Sequence, residues 1–496
     1  MEKRRSGILL HITSLPGREG IGTLGVHARN FIDFLHDTGQ SVWQILPVGP
    51  VGAGNSPYLC YSAFAGNPLL IDLEMMMADG LITDKWMQGI PRFNIRQVDF
   101  AKVEAWKVPL LRKAFDTFST DPNHLQPEYI RFLEEHGWWL NDYALFMAAK
   151  NHFGGIPWQG WPDTLKFREP EGMEFYREKL KHEIDFNRFV QFCFFRQWHL
   201  LRDFAGKKGI QILGDLPLYV GTDSADVWSN TGIFMLDKDL YPTHVGGVPP
   251  DYFSNEGQLW GNPVFDWQAL ASTGYHWWIA RIHFNLRMFD RVRIDHFRGL
   301  ESFWAVEAGA STAIDGTWLE AGGREMLKLL QNQLGSLPLV AEDLGIITPE
   351  VDRLRIDFNL PGMRVLQFAF SSDATNTHLP HNFENSTIVY TGTHDNDTTW
   401  SWIQLLSKKE KEVVMSYLKP YDRKPTLALI EMAWASAAQE SIIPLQDLLE
   451  LGAEARMNIP GFAQGNWGWR MRWTQIRGRH LKFLRMITER YNRLRS

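Results

Sequence analysis

Arg291-Val292-Arg293-Ile294-Asp295-His296-Phe297-Arg298-Gly299 is the stretch on which the reading of this chain turns. Side chains alternate along a strand, so Val292 and Ile294 share one face while Arg293 and Asp295 share the other. The pattern predicts a short buried strand that delivers a carboxylate at its C-terminal end. Arg293, two residues upstream on the same face, favours the ionised form of Asp295. A structural ion pair beneath a loop accounts for this stretch taken alone equally well.

Seven further stretches read as strands: Gly7–His11, Ser41–Val48, Gly209–Asp215, Pro338–Asp343, Met363–Phe370, Thr387–Thr391 and Ser441–Leu445. With the first they make eight. Most are apolar almost throughout, as parallel strands covered on both faces are. Helical patterns lie between several of them. Phe31, Phe34 and Leu35 fall on one face ahead of Gly39, and Leu327, Leu330 and Leu334 do so ahead of Gly335. Thr348-Pro349 has the form of an N-cap followed by proline in the first turn. The alternation predicts an α/β fold, a (β/α)₈ TIM barrel over residues 1–496 as a single catalytic unit, with a doubly wound open sheet as the rival. Two intervals are too long for simple crossovers. Residues 49–208 read as mostly helical and aromatic-rich, with Phe186, Phe189, Val190, Cys193, Phe194 and Trp198 on one pattern. Residues 216–290 contain a loop, 246–260, rich in glycine and proline. Both are expected as insertions on the C-terminal rim of the strands, where loops carry function.

Composition excludes several classes. A net charge of −6, from 51 Lys+Arg against 57 Asp+Glu, comes with no basic run, which disfavours nucleic acid and anionic membrane as partners. Cys60 and Cys193 are the only cysteines, so neither a disulfide framework nor a zinc knuckle is expected, and a reducing, cytoplasmic setting is. The charged start, Met1 to Ser6, precedes an apolar run too short for a signal peptide, and no stretch reaches membrane-spanning length. Nothing in the chain points to an obligate protein partner. Twenty-one tryptophans and 13% aromatic residues supply flat surfaces suited to the C–H faces of sugars, although many must be core.

Aligned by their C-terminal ends, four strands deliver acids: Asp215, Asp295, the pair Glu342-Asp343, and His394-Asp395 a few residues beyond Thr391. In a barrel these ends meet at one mouth. Several carboxylates ringed by tryptophan match the needs of glycosidic chemistry. One must stay ionised to attack or stabilise the anomeric carbon, and another must stay protonated to release the leaving oxygen. Asp295 suits the first task. Glu342, after apolar Leu339, Val340 and Ala341, suits the second, because desolvation raises a carboxyl pKa. Asp343 competes with it, since alternation lets only one of the two face the mouth.

The strand ends resemble the four short signature regions of the α-amylase superfamily. Several stretches further resemble its amylomaltase branch, the 4-α-glucanotransferases of glycoside hydrolase family 77. They are His11-Ile12-Thr13-Ser14-Leu15-Pro16-Gly17, Asn55-Ser56-Pro57-Tyr58, Gly214-Asp215-Leu216-Pro217-Leu218-Tyr219-Val220, Gly246 through Trp260-Gly261-Asn262-Pro263, Thr391 through Asp397, and Glu454 through Gly461. The resemblance runs the length of the chain. It implies Asp295 as nucleophile, Glu342 as acid/base and Asp395 as the third carboxylate, which holds sugar hydroxyls in the distorted ring. Arg293, His394, Asp215 and His296 would line the subsite of the cleaved sugar, and Tyr58 and Trp260 would stack on glucose. Asp251 and Asn466 would add hydrogen bonds. The substrates implied are α-1,4-glucans, maltooligosaccharides and glucose, with no cofactor and no metal. Ile12 where proline is usual, and Val306-Glu307-Ala308 for Val-Pro-Ala, depart from the family pattern away from every proposed catalytic position. The last hundred residues suggest no C-terminal β-sandwich, which favours this branch over ordinary α-amylases.

Blander readings stand beside these. His296 and His394 could be satisfied core histidines, Asp215 could cap a turn, and Asp251 and Asn466 could be solvated loop residues. Tyr58 and Trp260 follow or precede turn signals and could be structural. Trp138-Trp139 and Trp277-Trp278, in helical sequence, are expected in the core. Gly20-Ile21-Gly22-Thr23-Leu24-Gly25 matches G-x-G-x-x-G but does not follow directly on a strand, so it is not expected to bind a dinucleotide. The expected activity is transfer of an α-1,4-glucan segment to a 4-hydroxyl by a retaining double displacement. An α-glucan hydrolase with the same carboxylates, an inactive maltodextrin-binding protein and a nicotinamide enzyme are the alternatives.

Overall fold

The computed structural model describes residues 4–250, 255–462 and 464–494. Among them twelve strands form: β1 (Arg5–Leu9), β2 (Val42–Gln44), β3 (Gln211–Leu216), β4 (His244–Val248), β5 (Gln258–Pro263), β6 (Arg291–Ile294), β7 (Ser302–Glu307), β8 (Gly316–Glu320), β9 (Leu339–Ala341), β10 (Gly362–Val365), β11 (Thr387–Tyr390) and β12 (Glu440–Pro444). Eight of them make one parallel sheet in the order β10-β11-β12-β1-β2-β3-β6-β9. Its two ends come together where Ala341 N–H donates to the Pro361 carbonyl at 2.9 Å. The result is a (β/α)₈ barrel, with the eight strands where the sequence pattern put them. Several are shorter than expected, among them β9, which spans only Leu339–Ala341. The second ends at Gln44, and Leu366–Phe368 turns into a 3₁₀ helix rather than extending β10.

The alternation in β6 organises the interior. Val292 and Ile294 are fully buried against the surrounding helices. Arg291, Arg293 and Asp295 climb the inside. At the floor Arg291 forks onto Glu440, the first residue of β12, at 2.7 and 2.8 Å. One step up, Arg293 reaches Asp215, and one further step opens onto the mouth. Such pairs do not add much stability over an apolar filling, but removing one partner strands a buried charge.

Between β2 and β3 the chain forms long helices, Phe100–Thr120, Gln126–His152 and Lys181–Lys207. The last buries Phe186, Phe189, Val190, Cys193, Phe194 and Trp198 on the face its spacing predicts. Trp139 and Trp278 are core, but Trp138 is 54% exposed, a correction to the expectation that both residues of each pair pack inside. A four-stranded antiparallel sheet, β5-β4-β7-β8, sits beside the barrel. The stretch expected as a loop over 246–260 thus begins and ends in paired strands, with 246–248 in β4 and 258–260 in β5. Asp251 lies outside the described residues. Beyond β12 the described chain forms helices and turns without a further strand, ending in the helix Gly478–Arg490. No described helix is long and apolar enough to cross a membrane.

The G-x-G-x-x-G stretch is closely packed. A Cβ on Gly22 would sit 1.8 Å from the Ile12 carbonyl oxygen, and one on Gly25 would sit 1.9 Å from Asp72 Oδ2. Asp72 is already occupied, accepting from Thr23 Oγ1 and capping the helix Leu73–Ala78.

Candidate active site

A chain of hydrogen bonds crosses the mouth. Tyr58 O–H donates to Asp215 Oδ2 at 2.7 Å, and Arg293 Nη1 donates to both oxygens of Asp215 at 2.7 Å. The other fork of the guanidinium, Nη2, donates to Asp295 Oδ1 at 2.8 Å. Arg293 thus spends its charge on two carboxylates rather than on Asp295 alone. Asp215 is 2% exposed, while the Asp295 side chain keeps 30% exposure at the open end. Burial pushes the Asp295 carboxyl up to about 6 against the pull of Arg293, and the charge on Asp215 pushes the same way as burial.

Glu342 and Asp343 separate as alternation requires. Asp343 turns inward, accepting from Met363 N–H at 2.6 Å and from Arg364 Nη1 at 3.0 Å, and it is structural. Glu342 turns to the mouth. Its Oε2 accepts the His296 N–H at 2.7 Å and its Oε1 the Leu344 N–H at 3.2 Å. His296 adopts a left-handed conformation (φ 50°), uncommon for a non-glycine residue, and that turn aims its N–H at Glu342. Burial holds Glu342 well above the usual carboxylate range; Arg293 opposes this and the Asp295 charge reinforces it. The two carboxyls therefore differ in their hold on a proton. Glu342, the more strongly raised of the two, holds it the more tightly.

Asp395 enters from β11 through His394. His394 Nε2 lies 3.4 Å from Asp395 Oδ2, and Asn458 Nδ2 donates to Asp395 Oδ1 at 2.6 Å. Arg456 Nη2 bonds the Asp395 carbonyl at 2.7 Å and its Nε the Asn458 carbonyl at 2.8 Å, so residues 456–458 clamp the third carboxylate from outside the barrel. The Tyr58 and His394 rings stack at 5.2 Å and 13°, and Trp467 leans on both at 5.8 and 5.9 Å. Burial, with His394 alongside, depresses buried His11, at the end of β1, to about 3, and its Nδ1 has no partner within the protein.

On the opposite side Trp260, in β5, meets the His296 ring edge-on at 4.8 Å and Tyr219 at 6.1 Å. Burial, with Arg298 nearby, lowers His296 to about 3, leaving a neutral ring whose Nε2 is buried without a protein partner. Tyr58, Asp215, Arg293, Asp295, His296, Glu342, His394, Asp395 and Trp260 are thus joined by contacts around one opening. Asn466 is not among them. Its amide donates to the Ile459 and Phe462 carbonyls at 3.3 and 2.8 Å and accepts the Ile459 N–H at 3.0 Å, closing its own loop. Asn458, Arg456 and Trp467 had no assigned role in the sequence reading. Asn458 and Arg456 lie inside a quoted motif, but nothing in their spacing shows which carboxylate they reach. Among the described residues no group of three or more His, Cys, Asp or Glu is arranged to hold a metal.

The comparisons with known proteins agree with this geometry. Residues 10–475 match the family described as 4-alpha-glucanotransferase, glycoside hydrolase family 77. The 4-alpha-glucanotransferase of Synechocystis sp. is 49% identical over 498 residues, covering 99% of each chain. That of Thermus thermophilus is 44% identical over 500 residues, again covering 99% of each. An amylomaltase from Streptococcus agalactiae, solved in complex with acarbose, superposes with a TM-score of 0.97 at 39% identity, over 99% of this chain and 100% of that one. With its family established over nearly its whole length, the chain belongs to the 4-alpha-glucanotransferases of glycoside hydrolase family 77.

Proposed function

We propose that the mouth carries out a retaining double displacement on α-1,4-glucans, with Asp295 as nucleophile, Glu342 as acid/base and Asp395 as the carboxylate that holds the sugar's hydroxyls. One observation carries the reading. Asp295, bonded by Arg293, and Glu342, bonded by the His296 N–H, are both held by the same 291–299 segment, and burial raises Glu342 the more strongly, which suits Asp295 to attack and Glu342 to give up a proton. An Asp295 oxygen attacks the anomeric carbon while the Glu342 proton passes to the departing 4-oxygen, giving a β-linked glucosyl ester and a free reducing-end fragment. The Glu342 carboxylate then takes the proton of an acceptor's 4-hydroxyl. That oxygen attacks the same carbon, Asp295 is released, and the α-configuration is restored. No cofactor is consumed, because one glycosidic bond replaces another.

Glucose, maltose and longer maltodextrins are the acceptors in this reading. Tyr58, Asp215, Arg293 and His394 would bind the cleaved sugar, His296 would offer its free Nε2 to a hydroxyl, and Trp260 would stack on a neighbouring ring. The hairpin ending in Trp260 would shield the ester from water, which transfer requires. Asp251, by its place in the sequence between β4 and β5, is kept as a contact to sugar hydroxyls. Residues 1–496 are read as one catalytic barrel with 49–208 and 216–290 as insertions, and the free cysteines suit the cytoplasm.

Incubation with maltotriose alone tests the proposal. Glucose together with oligomers longer than the substrate is expected. Glucose and maltose as the sole products would overturn it in favour of hydrolysis.

A further inference from the structure

Strands β7 and β8 place Trp304 directly opposite Trp318, so the two indoles share a face of the antiparallel sheet. Trp318 lies flat on the Arg298 guanidinium, whose carbon is 3.7 Å from the ring centroid, and Trp304 flanks it at 5.2 Å. Arg298 is 5% exposed and Trp318 37%. The indole therefore roofs the arginine, and its other face looks into solvent. A cation–π contact explains why Arg298 is covered, but not why the cover is a large ring left half in water rather than a buried one.

The position of this ring is set by the catalytic loops. Arg298 Nη1 donates to the Ile346 carbonyl at 2.6 Å and Nη2 to Ser302 Oγ at 3.2 Å. Ile346 lies in the loop that carries Glu342, and Phe297, next to Arg298, donates its N–H to the Glu342 carbonyl at 3.2 Å. Trp318 is thus braced against the two segments that hold the acid/base. The Tyr58–Asp215–His394 cluster is gathered around Asp295 and Asp395 instead. The acid/base is the group that meets the departing and arriving sugars. The face is neutral and flat, with the guanidinium's outer nitrogens already bonded beneath it, so it suits the C–H face of a sugar ring and not an anion.

We propose that the outer face of Trp318 is an acceptor-side platform for α-1,4-glucan, stacking a glucose ring beyond the one that receives the new bond. The proposal rests on the transfer reading above. It makes acceptor length, not the chemistry, the property that Trp318 controls.

The test varies the acceptor at fixed donor, comparing glucose, maltose, maltotriose and maltohexaose with the unaltered enzyme, Trp318→Ala and Trp318→Phe, alongside melting temperature. With glucose as acceptor, both variants are expected to keep KM and kcat within about twofold. With maltohexaose, Trp318→Ala is expected to raise the acceptor KM about threefold to tenfold, and Trp318→Phe to restore most of the loss. Equal changes for short and long acceptors, or none, in Trp318→Ala would overturn the platform; if Trp318→Ala does not fold, Trp318→Leu, which fills the place without a flat ring, is read in the same way. Failure of the unaltered enzyme to transfer at all would instead overturn the transfer reading, so the two failures are distinguishable.

Discussion

At the scale of single residues, proton affinity divides the labour. In the proposed mechanism Asp295 attacks ionised and Glu342 acts protonated, so turnover is expected to fall as pH drops through about 6. The same mechanism expects turnover to fall again as pH climbs through the raised value of Glu342, giving a bell whose alkaline limb disappears in Glu342→Gln. That variant should lose on the order of 10²–10⁴ in kcat, while Asp295→Ala should lose on the order of 10³ or more. Steady-state rates across pH check both, and a flat profile in the unaltered enzyme would contradict the assignment. The same shift has a consequence for stability. A carboxyl whose folded pKa is raised stabilises the fold at low pH, and that contribution is lost as pH rises through the folded value. The melting temperature of Glu342→Gln should therefore gain on the unaltered protein as pH rises, and parallel curves would contradict it. Asn458→Ala removes the donor on Asp395 and is expected to lower kcat/KM by about tenfold to a hundredfold, with little change in melting temperature. Strand alternation made Asp295 and the Glu342-or-Asp343 choice visible in the sequence. The partners that settle that choice, Arg364 and the His296 N–H, come from other strands and carry no sequence signal.

Elements place those residues, and here patterning succeeded where the period was clean. The helix Lys181–Lys207 and the eight barrel strands follow from apolar spacing. The antiparallel sheet did not show itself as a sheet. Its first hairpin is rich in glycine and proline, which reads as loop, and β7 and β8 lie in the segment after β6, where no strand signal was recognised. Trp260 is a consequence of that hairpin. Trp260→Ala is expected to weaken oligosaccharide binding and to raise the share of hydrolysis, and an unchanged transfer-to-hydrolysis ratio would argue against a shielding role. Near the first barrel strand, Gly25→Ala would drive a methyl group into Asp72 and is expected to cost about 1–3 kcal/mol through overpacking, read as a lower melting temperature. Unchanged stability would show that the helix cap at Asp72 can give way.

For the whole molecule, closure of the barrel depends on its ends. Arg493, fully buried just past the last helix, donates to the carbonyls of Arg5, Trp434 and Ala438 at 2.9 Å each, tying the starts of β1 and β12 to the C-terminus. Arg493→Ala is expected to lower the melting temperature by several degrees while leaving the pH profile of turnover unchanged, and a shifted profile would show that this end of the barrel reaches the mouth. Such long-range anchoring was illegible in the sequence, because a lone arginine near the end of a chain looks like surface. What was legible was the convergence of strand-end acids on one opening, and that convergence is the centre of the account. Its most direct test uses Glu342→Gln with an α-maltosyl fluoride, whose leaving group needs no proton but whose ester can no longer be passed on efficiently. Mass spectrometry of the digested protein should find the maltosyl adduct on the peptide bearing Asp295. An adduct on another carboxylate, or none while fluoride is still released, would contradict it.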